Sequence, residues 1–418
     1  MELIIRNALL RGNMETVDIG VAEGVIKIIA PSINARGETD IDAEGRLVTP
    51  TFIDPHIHLD KILISEVVRD NVSGTLTEAI EIIWEKKKNY TEEDIMERAG
   101  RVIKWAVKNG TTKMRTHVDV DTIGGLLPTE AMLRVKEKYS DIMDLQIVAF
   151  PQEGIIQDPG SKELMEEAMR MGADIVGGMP YNEMIYDDSK KHIDFCFELA
   201  KKFDADIDMH VDETDDDTAR TLQYYATKTI KERYEGRVTA GHTCALAAYN
   251  DYYAIKVIGL VKRARMNMIT NPATNLMLQG RLDKQPIRRG ITRVKELLAA
   301  GVNVAYGQDC IKDTFYPTLG QADMLEVGQL LAHAAQMSTP AEIEEVFNMP
   351  TIDSARMMRL TDYGLEVGKS ADFNVIDAPD VQEALRTRAD RLYVIRKGRV
   401  IARTKTQSEI FREETVRA

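Results

Sequence analysis

Residues 46–58 read RLVTPTFIDPHIH, a β-rich run that ends on two histidines spaced two apart. A strand's period of two turns His56 and His58 toward the same side of a sheet, where one ion could bind both. The same design, a strand that closes on polar residues, recurs in TTKMRTHVDV (111–120), LQIVAFPQE (145–153), ADIVGGMP (173–180), DADIDMHVDE (204–213), RVTAGHT (237–243), MNMITNP (266–272) and VNVAYGQDC (302–310). Helix-like stretches such as IMERAGRVIKWAVKNG and ITRVKELLAAG precede these runs, several of them ending in Gly, a common helix stop. The alternation is that of repeated βα units around a parallel sheet. With eight strand candidates, the expected fold class is α/β, a (β/α)8 barrel of TIM type, whose chemistry sits at the C-terminal ends of the strands.

Outside this interior the texture changes. ELIIRNALL, ETVDIGVAEGVIKIIA and TDIDAEGRLVTP near the start, and GKSADFNVIDAP and RLYVIRKGRVIART near the end, read as short strands broken by turn residues. The two terminal segments, 1–49 and 366–418, are expected to pair into one small β-sandwich domain, leaving 50–365 as the barrel.

Composition bounds the partners. The 418 residues carry 54 Lys+Arg against 67 Asp+Glu, a formal charge of −13, so nucleic acid is not an expected partner, and a small neutral or cationic molecule fits better. Hydrophobic residues at 44% and charged residues at 29% are the proportions of an ordinary globular chain able to bury a large core. Cys196, Cys244 and Cys310 are scattered and odd in number, which offers neither a disulfide framework nor a CxxC zinc site and suits a reducing cytoplasm. MELIIRNALLRG lacks the basic start and long apolar run of a signal peptide, and no stretch approaches a membrane span. A soluble, cytoplasmic protein with no membrane partner is expected.

His56, His58, His117, His210 and His242, five of the seven histidines, fall at strand ends. In a closed barrel His210 of the fifth strand and Asp309 of the eighth come near His56 and His58. Three imidazoles and a carboxylate suit a borderline divalent ion, zinc or ferrous iron, with a position left for water. Such an ion lowers the pKa of its water to about 7 and makes hydroxide available as a nucleophile. The fourth strand, ADIVGGMP, has no lysine to serve as a bridging carbamate, so a single ion is expected. Glu213, three residues past His210 and beyond the regular pleat, is the candidate proton shuttle, against the alternative of a solvated acidic loop with Asp212, Asp215, Asp216 and Asp217. His242 is either a fifth ligand or, as preferred here, a cation that orients the attacking water. Gln152 is a poor zinc ligand and is free to read substrate. His117 and Asp119 repeat the histidine spacing and are read as supports for the ligating imidazoles or for Arg115.

At these residues the chain resembles bacterial cytosine deaminases of the amidohydrolase superfamily. The resemblance rests on PHIHLDK (55–61), SGTL (73–76), RTHVDVD (115–121), LQIVAFPQEGI (145–155), HVDETDD (210–216), NLMLQGRLD (275–283) with RRGITRVKELL after it, and YPTLG (316–320). It implies one metal held by His56, His58, His210 and Asp309, with Glu213 and His242 handling protons. It also implies that Gln152 bonds the amide edge of a pyrimidine, whose donor and acceptor match a carboxamide, and that the SGTL segment lines the substrate at position 75. Relatives of this kind are often oligomeric, so a homo-oligomer is expected. The chain departs from the family's GHDD at the eighth strand, reading GQDC with Gln308 and Cys310. The wall at Cys310 loses a charge and gains room, which points to an aminopyrimidine other than plain cytosine, 5-methylcytosine before isocytosine. Phe315 stands where the family has an aromatic, to pack on the ring or to sit in the core.

The expected reaction is hydrolytic deamination to the oxo-pyrimidine and ammonia. An alternative within the superfamily is an N-alkylammelide-type aminotriazine amidohydrolase; HVDETDD and PQEG favour the pyrimidine. A catalytically inactive barrel scaffold is the non-enzymatic alternative, and the complete ligand set argues against it.

Overall fold

The computed structural model describes residues 1–410; the last eight residues of the terminal segment expected at 366–418 lie outside the described part. Five strands open the chain: β1 (Leu3–Leu10), β2 (Thr16–Ala22), β3 (Val25–Ala30), β4 (Thr39–Asp42) and β5 (Leu47–Pro50). Eight follow in the interior: β6 (Phe52–Ile57), β7 (Thr111–Asp119), β8 (Asp144–Phe150), β9 (Ile175–Gly178), β10 (Asp206–Val211), β11 (Val238–His242), β12 (Asn267–Thr270) and β13 (Asn303–Tyr306). Three more close it: β14 (Phe373–Ile376), β15 (Arg391–Arg396) and β16 (Arg399–Arg403).

Strands β6 to β13 lie side by side in chain order, every pair parallel. Each of the eight expected runs contains one of them. The first also holds β5, so RLVTP and FIDPHI belong to different sheets. Between β13 and β6 the circle is joined by a single parallel bridge, Ile57 to Asp309, with the Asp309 N–H donating to the His56 carbonyl at 2.8 Å and the His58 N–H to the Asp309 carbonyl at 3.2 Å. The barrel is thus nearly closed, and its seam lies at the metal-ligand candidates.

Parallel strands covered by helices are normally continuous apolar runs, and β9, with the sequence IVGG, fits that description. Strand β7 does not. It is buried along its whole length yet carries Lys113, Arg115, His117 and Asp119 at every second position, a charged column with period two. Across the barrel, the buried Asp208 of β10 receives Arg115 at 2.7 Å. A buried guanidinium stays only where such a partner meets it, so this side of β7 is polar from base to mouth.

The terminal strands share one sheet, in the order β16-β15-β14-β5-β1-β2-β3. Its first and last segments meet where β5 runs antiparallel to β14, Val48 opposite Val375. The terminal strands, expected as a β-sandwich, join in one hydrogen-bonded network of eight strands. The reason is local, since residues 3–6 of β1 pair with β4 and residues 9–10 of the same strand pair with β5. The sheet has its own apolar core, including Leu3, Ile5, Ile19, Val48, Phe373 and Ile395.

This sheet sits against the starting ends of the barrel strands. Lys113 donates to Asp372 at 2.9 Å and Asp144 at 2.8 Å, Arg396 to Asp144 at 2.7 Å, and the Asn374 amide to the Gly110 carbonyl at 3.0 Å. Gly110 has φ +86°, and a Cβ there would lie 2.6 Å from the Asn374 amide nitrogen, so glycine is required at this contact. Truncating Lys113 strands the buried Asp372 carboxylate. Lys113→Ala is expected to cost about 3 kcal/mol of folding stability, read by denaturant unfolding, and a loss under about 1 kcal/mol contradicts the assigned pairing.

Candidate active site

Six of the side chains singled out above meet at the C-terminal mouth of the barrel. One donor atom from each of His56, His58, His210 and Asp309 lies within 4.8 Å of every other. Nε2 of His58 faces Nε2 of His210 at 3.0 Å, and Asp309 Oδ1 lies 3.4 Å from His58 and 3.6 Å from His56. Local chain chemistry sets this up. Pro55 has no N–H to give the β6–β7 ladder, and the register slips between Asp54 and Ile57. The Asp54 carboxylate collects the N–H groups of His56 and Gln308 at 3.2 and 3.1 Å, tying both sides of the seam; burial, more than any neighbour, lifts its pKa to about 7. Gly307 leaves His56 its space, because a Cβ there would sit 2.6 Å from the His56 Cβ.

The donor chemistry fits a divalent cation. Both ring nitrogens of His56, Nδ1 of His58 and of His210, and Oδ2 of Asp309 are buried with no hydrogen-bond partner, a concentration of orphaned lone pairs that folded cores do not normally leave. Burial, then the Lys61 charge, pushes His58 well below its ordinary pKa, and burial followed by the neighbouring imidazoles does the same to His210; both are neutral and free to ligate. Burial alone would raise Asp309, but His242 and the facing imidazoles hold it well below the usual carboxylate range.

Glu213 and His242 form the next layer. Their Oε1 and Nδ1 lie 3.0 Å apart, and Glu213, His242 and Asp309 bring donor atoms within 4.8 Å. The solvated-loop alternative fails for Glu213, which is only 6% exposed. Burial opposes a charge on His242, yet Glu213 and Asp309 outweigh it and raise the pKa. Asp212, at φ 47°, accepts from the Thr221 and Leu222 N–H groups at the start of the next helix and so anchors the turn that presents Glu213. His242 and Asp309 also stand at positive φ, 65° and 64°, a conformation that costs a non-glycine residue on the order of 1 kcal/mol and gathers at functional sites.

Two partners of this layer were not anticipated. Asn275 donates to Glu213 at 3.2 Å and lies 3.0 Å from Nδ1 of His242; Asn271 lies 3.1 Å from Nε2 of His242. Both are buried on or beside the helix Pro272–Leu278. The one signal in the sequence was the pair of asparagines in NPATN.

At the mouth lies a small cavity onto which His58, His210, Glu213, His242 and Asp309 face. Gln152, Lys61, Phe150 and Met179 wall one side; Cys310, Phe315, Leu76, Ile80 and Leu278 wall the other. The Gln152 Nε2 is buried with no partner. Position 75, expected to line substrate, is Thr75, whose hydroxyl caps the helix Leu76–Lys87 by accepting from Glu78 N–H; its neighbour Leu76 faces the cavity. Phe315 packs in an apolar cluster and lines the cavity. Gln308 turns its amide onto the Cys310 carbonyl at 3.2 Å. A separate open cleft runs along residues 286–296 and contains none of the metal-ligand candidates.

His117 and Asp119 part company. His117 packs on His56, ring centroids 4.2 Å apart, and lies 3.5 Å from Asp208; burial, then His56, lowers its pKa to about 4. Arg115 is held by Asp208 and Gln146, not by either of them. Asp119 makes its contacts with lysines rather than imidazoles, taking Lys61 at 2.5 Å and Lys87 at 2.7 Å. Lys87 also reaches Asp121 at 2.6 Å and Glu153 at 2.8 Å, so a buried cluster of lysines and carboxylates underlies the cavity.

Comparison with known proteins agrees with this anatomy. The model of the amidohydrolase family matches residues 40–402. N-isopropylammelide isopropyl amidohydrolase of Pseudomonas sp. (strain ADP) is 34% identical, over 96% of this chain and 97% of its own. Pterin deaminase of Rhizobium rhizogenes is 33% identical, over 93% and 88%. Among solved structures, 5-methylcytosine deaminase from Klebsiella pneumoniae liganded with 5-fluorocytosine is 38% identical, covers 98% of this chain and 99% of its own, and has a TM-score of 0.94. No helix among the described residues is long and apolar enough to cross a membrane. A nearly closed parallel barrel, a mouth of imidazoles and carboxylates, and this breadth of similarity together place the chain in the amidohydrolase family, as a cytosine deaminase-like, metal-dependent hydrolase of C–N bonds.

Proposed function

We propose that the chain deaminates a small aminopyrimidine by hydrolysis and that its preferred substrate carries a methyl group at ring carbon 5. The observation that carries the second half is the wall around Cys310. Burial pushes this thiol well above its ordinary pKa, so it is uncharged, and it belongs to an apolar cluster with Ile80, Ala273, Leu278 and Phe315. A carboxylate in that place, as in cytosine deaminases, would oppose a methyl group; an uncharged thiol among apolar side chains accepts one, and burying it is worth about 0.8 kcal/mol. The solved relative named for 5-methylcytosine supports the same substrate class.

Across the cavity the polar wall suits the other edge of the ring. The unpartnered Gln152 amide offers a donor and an acceptor side by side to a ring amide. Lys61, one of whose N–H groups goes to Asp119 at 2.5 Å, has further donors for an exocyclic oxygen. When bound by His56, His58, His210 and Asp309, a divalent ion, zinc or ferrous iron, supplies a water acidic enough to react at neutral pH. Glu213 carries one proton of the attacking water to the ring nitrogen and then the second proton of that oxygen to the departing amine, which leaves as ammonia. One water is consumed and one ammonia released. His242, held between Glu213 and Asn271, stands beside the attacking oxygen, where Glu213 and Asp309 favour its cationic form.

Steady-state turnover of cytosine, 5-methylcytosine, isocytosine and N-isopropylammelide, with ammonia and isopropylamine measured separately, tests the assignment. The highest kcat/KM is expected for 5-methylcytosine; isopropylamine release with no ammonia from any pyrimidine overturns the reading. Cys310→Asp is expected to move the ratio of kcat/KM values toward cytosine by about 10–100-fold, and an unmoved ratio removes Cys310 from the substrate wall. Glu213→Gln should lose about 10²–10⁴ in kcat while binding metal as before. His210→Ala should lose most of its metal after dialysis, measured by plasma mass spectrometry, and full stoichiometry in that variant rules out the ligand set.

A further inference from the structure

Gln152 presents an unusual requirement. Its carboxamide has no protein partner for Nε2, so nothing at the tip of the side chain fixes its aim, and accuracy must come from the backbone that carries it. That backbone is latched to the loop after β9. The Asn182 amide donates to the Gln152 carbonyl at 2.7 Å. The Gln157 amide donates to the carbonyls of Glu153 and Asn182, each at 2.7 Å. The central element is Glu183: Oε1 accepts the N–H groups of Ile155 at 2.6 Å and Ile156 at 3.0 Å, and Oε2 accepts that of Gln157 at 3.0 Å. One buried carboxylate therefore gathers three successive N–H groups of the segment just past Gln152. Gly154 makes the turn possible, at φ +95°, and a Cβ there would lie 3.1 Å from Glu183 Oε1.

Glu183 is itself held from behind. His192, fully buried in the helix Tyr186–Phe203, places Nδ1 2.7 Å from Glu183 Oε1, while its Nε2 accepts the Met179 N–H at 3.1 Å. Because the Met179 N–H makes Nε2 an acceptor, the single proton of a neutral ring stands on Nδ1 and donates to Glu183. Burial keeps this imidazole below its ordinary pKa, consistent with that form. Met179 lines the same cavity as Gln152, whereas neither Glu183 nor His192 reaches it.

We propose that Glu183 and His192 are positioning residues for the substrate site, a buried relay that fixes Gln152 and Met179 against the bound ring without touching it. The proposal rests on the aminopyrimidine reading for its substrate, and its test separates the two. Glu183→Gln keeps the size of the side chain and turns one acceptor oxygen into a donor. A contact made alike in ground and transition states appears in KM, so the variant should raise KM for the preferred pyrimidine by about 10-fold with kcat within about 3-fold. In a Gln152→Ala background the same substitution should raise KM by less than about 2-fold, since residues acting through one another are not additive. Backbone hydrogen exchange at Ile155, Ile156 and Gln157 should accelerate about 10-fold or more in Glu183→Gln, with metal content unchanged. His192→Phe, which removes only the relay's rear bond, is the second variant should the first fail to fold; it should show the same coupling with a KM change of about 3-fold. Equal KM effects with and without Gln152, or unchanged exchange at the three amides, overturn the proposal. If the native protein releases no ammonia from any pyrimidine, the substrate reading fails alone, and the exchange measurement still decides the relay.

Discussion

Everything at the mouth depends on how the barrel closes. Between β13 and β6 there is no full ladder, only the exchange in which Asp309 donates to the His56 carbonyl and accepts from the His58 N–H. The residue that joins the last strand to the first is thus also the carboxylate of the donor set, and the strand it joins carries two of the imidazoles. Closure of the sheet and assembly of the site are one event. The cost is visible in the left-handed backbone of Asp309, which the seam's hydrogen bonds and the bridging carboxylate of Asp54 offset.

The cavity beyond the seam is two-sided, and the division follows the strands. The loops after β6 and β8 bring the charge and the amide, Lys61 backed by Asp119 of β7 and Gln152, while the loop after β13 and the helices at Leu76–Lys87 and Pro272–Leu278 bring the apolar wall at Cys310. Low dielectric between the walls strengthens each polar contact and penalises any left unmade, so a planar ring with one polar and one apolar edge is the shape of ligand this arrangement tolerates.

Period two and strand-end placement made the barrel and its ligand candidates legible. His56, His58, His210 and Asp309 each end a strand run, and an (β/α)8 topology alone brings such ends together. Glu213 and His242 were legible by the same logic. What stayed hidden were pairings between residues remote in the chain. Nothing in HLDK or in the helix at 76–87 marks Lys61 and Lys87 as partners of Asp119, and an isolated Asp119 invited a role beside the imidazoles that it does not have. Asn271 stands at the N-cap of a short helix with no periodic signature, and Asn275 sits within it. The terminal sheet was read correctly as a union of both ends, yet whether its strands form one sheet or two depends on how β4 and β5 share the edge of β1, which no local pattern records.

The terminal sheet grips the barrel at its base, through Lys113, Asp372, Asn374 and Arg396, whereas the donor set and cavity occupy the opposite end of the strands. Robustness and reactivity are therefore governed by separate populations of side chains along the same eight strands. A lineage built on this chain is free to exchange residues in the lower half to suit temperature or turnover in the cell, while loops at the upper rim drift toward new heterocycles, with neither change taxing the other.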